Sequence, residues 1–87
     1  MNQPYFVYII RCADGTLYTG TAADVELRIA AHNSGKGAKY TRGRLPVSLV
    51  YQECCDGVSQ ALRREIEIKK LTRAKKQRLI GASAVPT

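Results

Sequence analysis

The stretch FVYIIRCADGTLYTG, residues 6–20, decides the fold, because it has the composition of two short strands joined by a tight turn. β-branched and aromatic residues dominate its first half, and Asp14-Gly15 is a frequent turn pair. Each arm carries one tyrosine, Tyr8 in the first and Tyr18 in the second. The length of the turn determines whether the two phenols lie on the same face of the hairpin.

Two turns fit this stretch. A two-residue turn places the tyrosines on opposite faces, where they serve as unrelated packing residues. A three-residue loop at 13–15, ending in a left-handed Gly15, pairs Ile10 with Tyr18 and puts Tyr8 on the same face. Aspartate in the middle of the loop and glycine at its third position favour the longer loop. We therefore expect both phenols on one face.

The whole chain predicts one small α+β domain, for which 87 residues are sufficient. Turn residues and hydrophobic periodicity predict a helix at 25–33, a loop or frayed single turn at 34–44, a third strand at 47–55, and helices at 60–71 and 73–80. The order strand, strand, helix, strand, helix, helix indicates a three-stranded, mainly antiparallel sheet covered by helices. Residues 1–80 form this domain, and 81–87 are expected to be a flexible tail.

Composition limits the class of partner. Fourteen lysine and arginine residues against seven acidic ones give a net charge of +7, which attracts polyanions but does not by itself exclude a merely soluble basic protein. No apolar run approaches the roughly 20 residues of a membrane span, and the N-terminus lacks a signal-peptide pattern. Three cysteines without a C-x-x-C motif indicate free thiols in a reducing compartment. We expect a cytoplasmic protein without a membrane partner.

Glu65 is the residue whose placement needs an explanation. Helical spacing puts it at the centre of an apolar face made by Val58, Ala61, Leu62 and Ile68. An ionised carboxylate buried there requires a nearby cation, a metal ion or a raised pKa. An ion pair with Lys69, four residues further on, is the simple explanation, and metal binding is the functional one.

Arg28 and His32 raise the same question on the first predicted helix. They stand four residues apart and share a face flanked by Val25 and Ile29. A lone histidine on such a face is most often a structural group satisfied by its neighbours, so a structural and a functional role both stay open.

Five stretches resemble the motifs of the GIY-YIG nucleases, in the order and spacing of that family. They are VYI at 7–9, YTG at 18–20, R-x-x-x-H-N at 28–33, GKGAKYTRG at 35–43 and ALRREIEIKKL at 61–71. The resemblance is strongest to the small stand-alone bacterial branch, the YhbQ type. Val7 and Thr19 depart from the glycine and isoleucine of the two name-giving triplets.

This resemblance implies metal-dependent endonucleolytic hydrolysis of nucleic-acid phosphodiesters, with DNA favoured and a role in DNA repair or turnover. It implies Glu65 as the ligand of one Mg²⁺ or Mn²⁺ ion and no small-molecule cofactor. It makes Tyr18 the general base, with Tyr8 hydrogen-bonded beside it and His32 as the neighbour that assists Tyr18. Arg28 matches the arginine that holds the scissile phosphate.

No added DNA-binding module is visible, so affinity must come from phosphate contacts within the domain. The expected contacts are made by Lys36, Lys39, Arg42 and Arg44, with Tyr40 stacking on a base. Further cations on the last helix are as consistent with a solvated face as with binding. The alternatives to an enzyme are a non-catalytic nucleic-acid-binding module on the same fold and a small basic protein-interaction subunit.

Overall fold

The computed structural model describes residues 3–82 and contains a three-stranded antiparallel sheet with β1 at its centre. The strands are β1 (Tyr5–Arg11), β2 (Leu17–Ala22) and β3 (Ser48–Cys55), arranged in the order β2-β1-β3. Both neighbours pair antiparallel with β1. The predicted fold class is confirmed.

The hairpin closes through the three-residue loop. The Cys12 amide donates to the Thr16 carbonyl at 2.8 Å, and Gly15 has a φ of 84°, in the left-handed region that favours glycine. Ile10 pairs with Tyr18, as the longer loop requires. Both tyrosines belong to the same packed layer, on one side of the sheet. The register prediction is therefore confirmed.

Four helices accompany the sheet, the second of which is a single turn. They are α1 (Val25–Asn33), α2 (Lys39–Arg42), α3 (Val58–Lys69) and α4 (Arg73–Ala82). The predicted bounds of α1 are correct, and the Asp24 carboxylate accepts from the Leu27 amide at 3.1 Å, as an N-cap should. Within residues 3–82, no helix is long and apolar enough to cross a membrane.

Three predicted helix boundaries are wrong. Helix α3 spans Val58–Lys69 rather than 60–71, and it starts early because Gly57, with a φ of 97°, turns the chain directly into the helix. Helix α4 continues to Ala82, since Gly81 falls in its last turn, where glycine is tolerated. The predicted tail thus loses two residues, and 83–87 lie outside the described residues.

The sheet buries a separate apolar layer on each face, because successive residues of β1 point to opposite sides. The buried residues of the layer below α1 are Tyr8, Ile10, Cys12, Ala22, Val25 and Val47. Those of the layer below α3 are Val7, Ile9, Cys55, Ala61 and Ile68, against which residues of α4 also pack. The three cysteines are free as predicted, although Cys54 is exposed rather than buried.

The predicted apolar face of α3 is only half right. Ala61 and Ile68 are fully buried, whereas Val58 and Leu62 are 54% and 45% exposed. Arg64 turns toward the sheet instead, where its Nε donates to both carboxylate oxygens of Glu53 on β3 at 2.9 Å. A charged pair between helix and strand thus occupies the place that periodicity assigned to leucine and valine.

Candidate active site

A chain of buried polar side chains forms the centre of the candidate site. The Tyr8 hydroxyl lies 2.9 Å from Nε2 of His32, and Nδ1 of the same ring lies 2.9 Å from the Thr41 hydroxyl. All three side chains are at most 1% exposed. Strand β1, helix α1 and helix α2 each supply one member, so tertiary packing rather than local sequence assembles the chain.

Tyr18 stands beside this chain without joining it. Its ring contacts His32 edge-on, with ring centroids 5.5 Å apart, but both imidazole nitrogens are already engaged by Tyr8 and Thr41. His32 therefore contacts Tyr18 through an edge-on ring contact rather than a hydrogen bond, and its assistance of Tyr18 stays a prediction. Tyr18 is only half-buried, and its hydroxyl has no hydrogen-bond partner among residues 3–82. It is the phenol that a substrate can reach.

The buried pair is electrically neutral at physiological pH. Burial raises the pKa of Tyr8, the charges of Tyr18 and Glu65 add to the rise, and Arg28 opposes it. Burial also lowers the pKa of His32, and the positive charge of Arg28 lowers it further. The charges of Arg28 and Glu65 therefore both act on the Tyr8 hydroxyl.

Arg28 is the cation of the site that lacks an acidic partner. It lies half-buried on α1 and forms no salt bridge within the described part of the chain. Its side chain lines an open cleft of about 470 Å³ together with Tyr5, Thr21, Asp24 and Leu27. An unpaired guanidinium at a cleft wall is well suited to bind an oxyanion such as a phosphate.

Glu65 projects from α3 toward the same region, with its side chain 17% exposed. Its carboxylate lies 3.3 Å from the Lys69 Nζ, so the simple ion-pair explanation is realised. Lys69 also lies 5.9 Å from the centre of the Tyr18 ring, which links the carboxylate to the accessible phenol. The tyrosines, Arg28, His32 and Glu65 are thus brought together.

The donor set around Glu65 fits only one kind of metal ion. Among the residues described, no group of three or more His, Cys, Asp and Glu side chains is close enough to enclose an ion. A single carboxylate suits a hard cation such as Mg²⁺, which keeps several waters and takes a substrate phosphate as a further ligand. A closed zinc-type site does not fit these residues.

Comparison with known proteins agrees with this geometry. The model of the GIY-YIG catalytic domain matches residues 4–78. The chain belongs to the GIY-YIG family. Nucleases of this family act on nucleic acids and generally use divalent metal ions.

Similar chains carry the name UPF0213 and match this chain over most of their own length. A UPF0213 protein of Haloquadratum walsbyi is 60% identical over 79 residues, covering 91% of this chain and 89% of its own. One of Staphylococcus aureus is 60% identical over 76 residues, covering 87% and 93%. The solution NMR structure of the UPF0213 protein of Bacillus halodurans has a TM-score of 0.62 at 47% identity, covering 95% and 88%.

The basic segment 34–44 of this GIY-YIG domain contains both cations without an acidic partner among the described residues and a cation that forms a salt bridge. Lys36, Lys39 and Arg42 are exposed and form no salt bridge within residues 3–82. Arg44 instead donates to the Asp14 carboxylate at 2.9 Å, and its guanidinium covers the Tyr40 ring at 4.3 Å. The first three cations are therefore the ones available to a phosphate backbone.

Tyr40 is already stacked within the domain. Its ring lies 5.8 Å from that of Tyr18 at an interplanar angle of 24°, while Arg44 covers it as well. A base that stacks on Tyr40 competes with these groups for the ring. Stacking on a base therefore stays a prediction, and support of the Tyr18 ring is the role that the contacts show.

Sequence reasoning missed Thr41 and Arg64. Thr41 lies inside the motif GKGAKYTRG, but nothing in the spacing indicates that its hydroxyl reaches back to His32, nine residues earlier. Arg64 precedes Glu65 and ties α3 to β3 through Glu53. The sequence shows only that Arg64 lies next to Glu65 and four positions before Ile68 on the same predicted helix.

The last residue of the YTG motif has a steric role. A Cβ on Gly20 would lie 2.6 Å from the Tyr8 hydroxyl oxygen and 3.2 Å from a ring carbon of Tyr18. We expect Gly20→Ala to displace the phenols and to cost about 1–3 kcal/mol of the free energy of unfolding. Gly43→Ala is the matched control, because a Cβ there meets nothing within 4 Å. Equal thermal stability of the two variants would contradict this assignment.

Proposed function

We propose that this protein is an endonuclease that hydrolyses nucleic-acid phosphodiesters, with DNA as the preferred substrate and one Mg²⁺ or Mn²⁺ ion at Glu65. The observation that carries the proposal is the convergence of an unpaired arginine, an accessible phenol and a half-buried carboxylate at one place. A structural explanation accounts for the buried Tyr8–His32 pair but gives the Tyr18 hydroxyl no partner among residues 3–82.

Substrate binding starts from the cations. Lys36, Lys39 and Arg42 contact phosphates on either side of the cleavage position, which gives sequence-independent, salt-dependent affinity. Arg28 binds the phosphate that is cleaved, and its fixed fork of donors stabilises the charge that develops on the phosphate oxygens in the transition state. The cleft beside Arg28 holds the nucleotide next to that phosphate.

The hydrolytic step uses the accessible phenol. After its own proton has passed to solvent, the Tyr18 oxygen takes a proton from the attacking water while the water oxygen bonds to phosphorus. The bond to the leaving oxygen breaks, and that oxygen takes a proton from solvent. The carboxylate of Glu65 would hold the divalent ion, which when bound offsets charge on the phosphate and leaving oxygens. The Lys69 Nζ lies 3.3 Å from Oε2 of this carboxylate, so Oε1 is the oxygen that would hold the ion.

The test is a cleavage assay with the purified protein on single-stranded, duplex and branched DNA and on matched RNA, at low salt. We expect cleavage with Mg²⁺ or Mn²⁺ that EDTA abolishes and that co-elutes with the protein in size-exclusion chromatography. Binding without cleavage under every metal would instead identify a nucleic-acid-binding module. Absence of both would favour a protein-interaction subunit, since phosphate contacts are strongest at low salt.

The cellular setting is proposed with the activity. Binding through phosphate contacts fits a general role in DNA repair or turnover in the cytoplasm, where the substrate's structure rather than its sequence determines cleavage. The strand form that the cleavage assay favours tests this point directly, because preference for branched or damaged substrates over intact duplex distinguishes repair from turnover.

A further inference from the structure

The hydroxyl of Thr41 determines the direction of every hydrogen bond in the buried chain. It donates to the Ala38 carbonyl at 2.9 Å, and a threonine hydroxyl has only one hydrogen to give. Its oxygen can then only accept from His32 Nδ1, 2.9 Å away. The hydrogen of the neutral imidazole is therefore on Nδ1, and Nε2 is left as the acceptor for the Tyr8 hydroxyl, also 2.9 Å away.

We propose that Thr41 is a positioning residue that fixes His32 as the Nδ1–H tautomer and thereby commits the Tyr8 hydrogen to Nε2. The Tyr8 oxygen is then an acceptor only, toward the side where Arg28 and Tyr18 lie. The catalytic consequence rests on the proposed function, whereas the tautomer itself does not. A histidine oriented by a hydrogen bond on its second nitrogen is a recurrent means of setting which nitrogen accepts.

The surroundings of Thr41 are built to hold this geometry. Thr41 is fully buried in α2, and the loop before this helix packs directly on the histidine. A Cβ on Gly37 would lie 2.7 Å from the His32 Cα, so the backbone approaches as closely as glycine permits. The Ala38 carbonyl accepts from the Thr41 amide at 3.0 Å as well as from its hydroxyl. These contacts leave the hydroxyl one orientation.

The decisive experiment is NMR on the metal-free protein, because the chain contains a single histidine. A long-range ¹H–¹⁵N correlation spectrum then shows one imidazole, and its coupling pattern distinguishes the two nitrogens. We expect a protonated-type shift for Nδ1 and an unprotonated-type shift for Nε2 at neutral pH in the wild-type protein. The Nε2–H tautomer in the wild type would overturn the proposal, whatever the behaviour of any variant.

Two substitutions test the role of the hydroxyl itself. Thr41→Val keeps the side-chain shape but removes the acceptor of Nδ1–H, and we expect it to produce the other tautomer or a mixture. Thr41→Ser retains the hydroxyl and is expected to retain the wild-type spectrum. An unchanged tautomer in a folded Thr41→Val protein would show that the hydroxyl does not set it. Backbone ¹H–¹⁵N spectra verify that each variant is folded.

Kinetics provide the second readout. If the protein cleaves nucleic acid, Thr41→Val is expected to lower kcat by about tenfold to a hundredfold, the usual effect of removing an outer hydrogen-bond partner, with little change in KM. Thr41→Ser should restore most of the rate. A normal kcat with the wrong tautomer would remove the catalytic role of Thr41. Failure to cleave at all refutes the proposed function but leaves the NMR result on the tautomer intact.

Discussion

Glu65→Gln is expected to reduce metal-dependent cleavage by about a thousandfold or more, to the background of the assay. A bound cation supplies several kcal/mol of transition-state stabilisation, and each 1.4 kcal/mol is about tenfold in rate. Glutamine retains the shape of the side chain but loses the charge that holds the ion. Nucleic-acid binding should persist, because the phosphate contacts come from Arg28 and from cations outside α3.

Stability should change little in the same variant. The lost ion pair to Lys69 is half-exposed on its lysine side, and pairs of this kind contribute at most about 1 kcal/mol. Glu67→Gln is the matched control, since it removes a carboxylate from the same helix. The Glu67 side chain is 67% exposed and, among residues 3–82, forms a salt bridge with Arg64 alone. Cleavage by Glu65→Gln at the wild-type rate, or equal losses in both variants, would exclude Glu65 as the metal ligand.

The hairpin register was predictable from sequence because it depends on local chemistry. A glycine at the third loop position permits the left-handed conformation, and the loop length then determines which residues face each other. The bounds of α1 follow for the same reason, from an aspartate cap and the positive φ of Gly35. Signals of this kind act over a few residues and need no knowledge of the tertiary fold.

The buried face of α3 was not predictable in this way. Hydrophobic periodicity placed Leu62 inside, but the helix lies on the sheet through Ala61 and Ile68 while Arg64 reaches Glu53 on β3. A charged contact between helix and strand therefore coexists with a half-exposed leucine, a combination that periodicity alone does not predict. The sequence of α3 alone does not reveal that the Glu53 carboxylate of β3 lies within reach of Arg64.

The candidate site likewise depends partly on local sequence and partly on tertiary contacts. The family motifs name the candidate residues but do not specify the hydrogen-bond partners of His32. The ring nitrogens are 2.9 Å from Tyr8 and Thr41 because the loop after α1 folds back over the helix, which leaves only an edge contact to Tyr18. Tertiary distances of a few ångströms decide which of the two neighbouring phenols forms the hydrogen bond with His32. Motif spacing does not determine these distances.

Tyr18→Phe is expected to slow cleavage by about 10²- to 10⁴-fold, the usual contribution of a positioned general base, without lowering thermal stability. The hydroxyl has no partner among the described residues, so its removal breaks no hydrogen bond of the folded chain. The ring remains in place to stack on Tyr40 and to contact His32. Single-turnover rates and thermal unfolding, measured on the same preparation, test the two halves of this expectation.

Tyr8→Phe should differ in a characteristic way, because its hydroxyl is the partner of the buried His32 Nε2. Leaving that nitrogen unsatisfied costs about 1–3 kcal/mol, and each kcal/mol lowers the melting temperature of a domain of this size by about 4–8 °C. Tyr51→Phe is the control for loss of a phenol hydroxyl, since Tyr51 donates to Glu53. We expect it to cleave like the wild type.

The two tyrosine variants together decide which phenol is the base. A large rate loss with unchanged stability in Tyr18→Phe, beside a stability loss in Tyr8→Phe, assigns the base to Tyr18 and the supporting role to Tyr8. The reverse pattern would mean that the buried phenol becomes accessible when substrate binds. A rate within tenfold of wild type for Tyr18→Phe would reduce Tyr18 to a packing residue, because a general base contributes at least about a hundredfold.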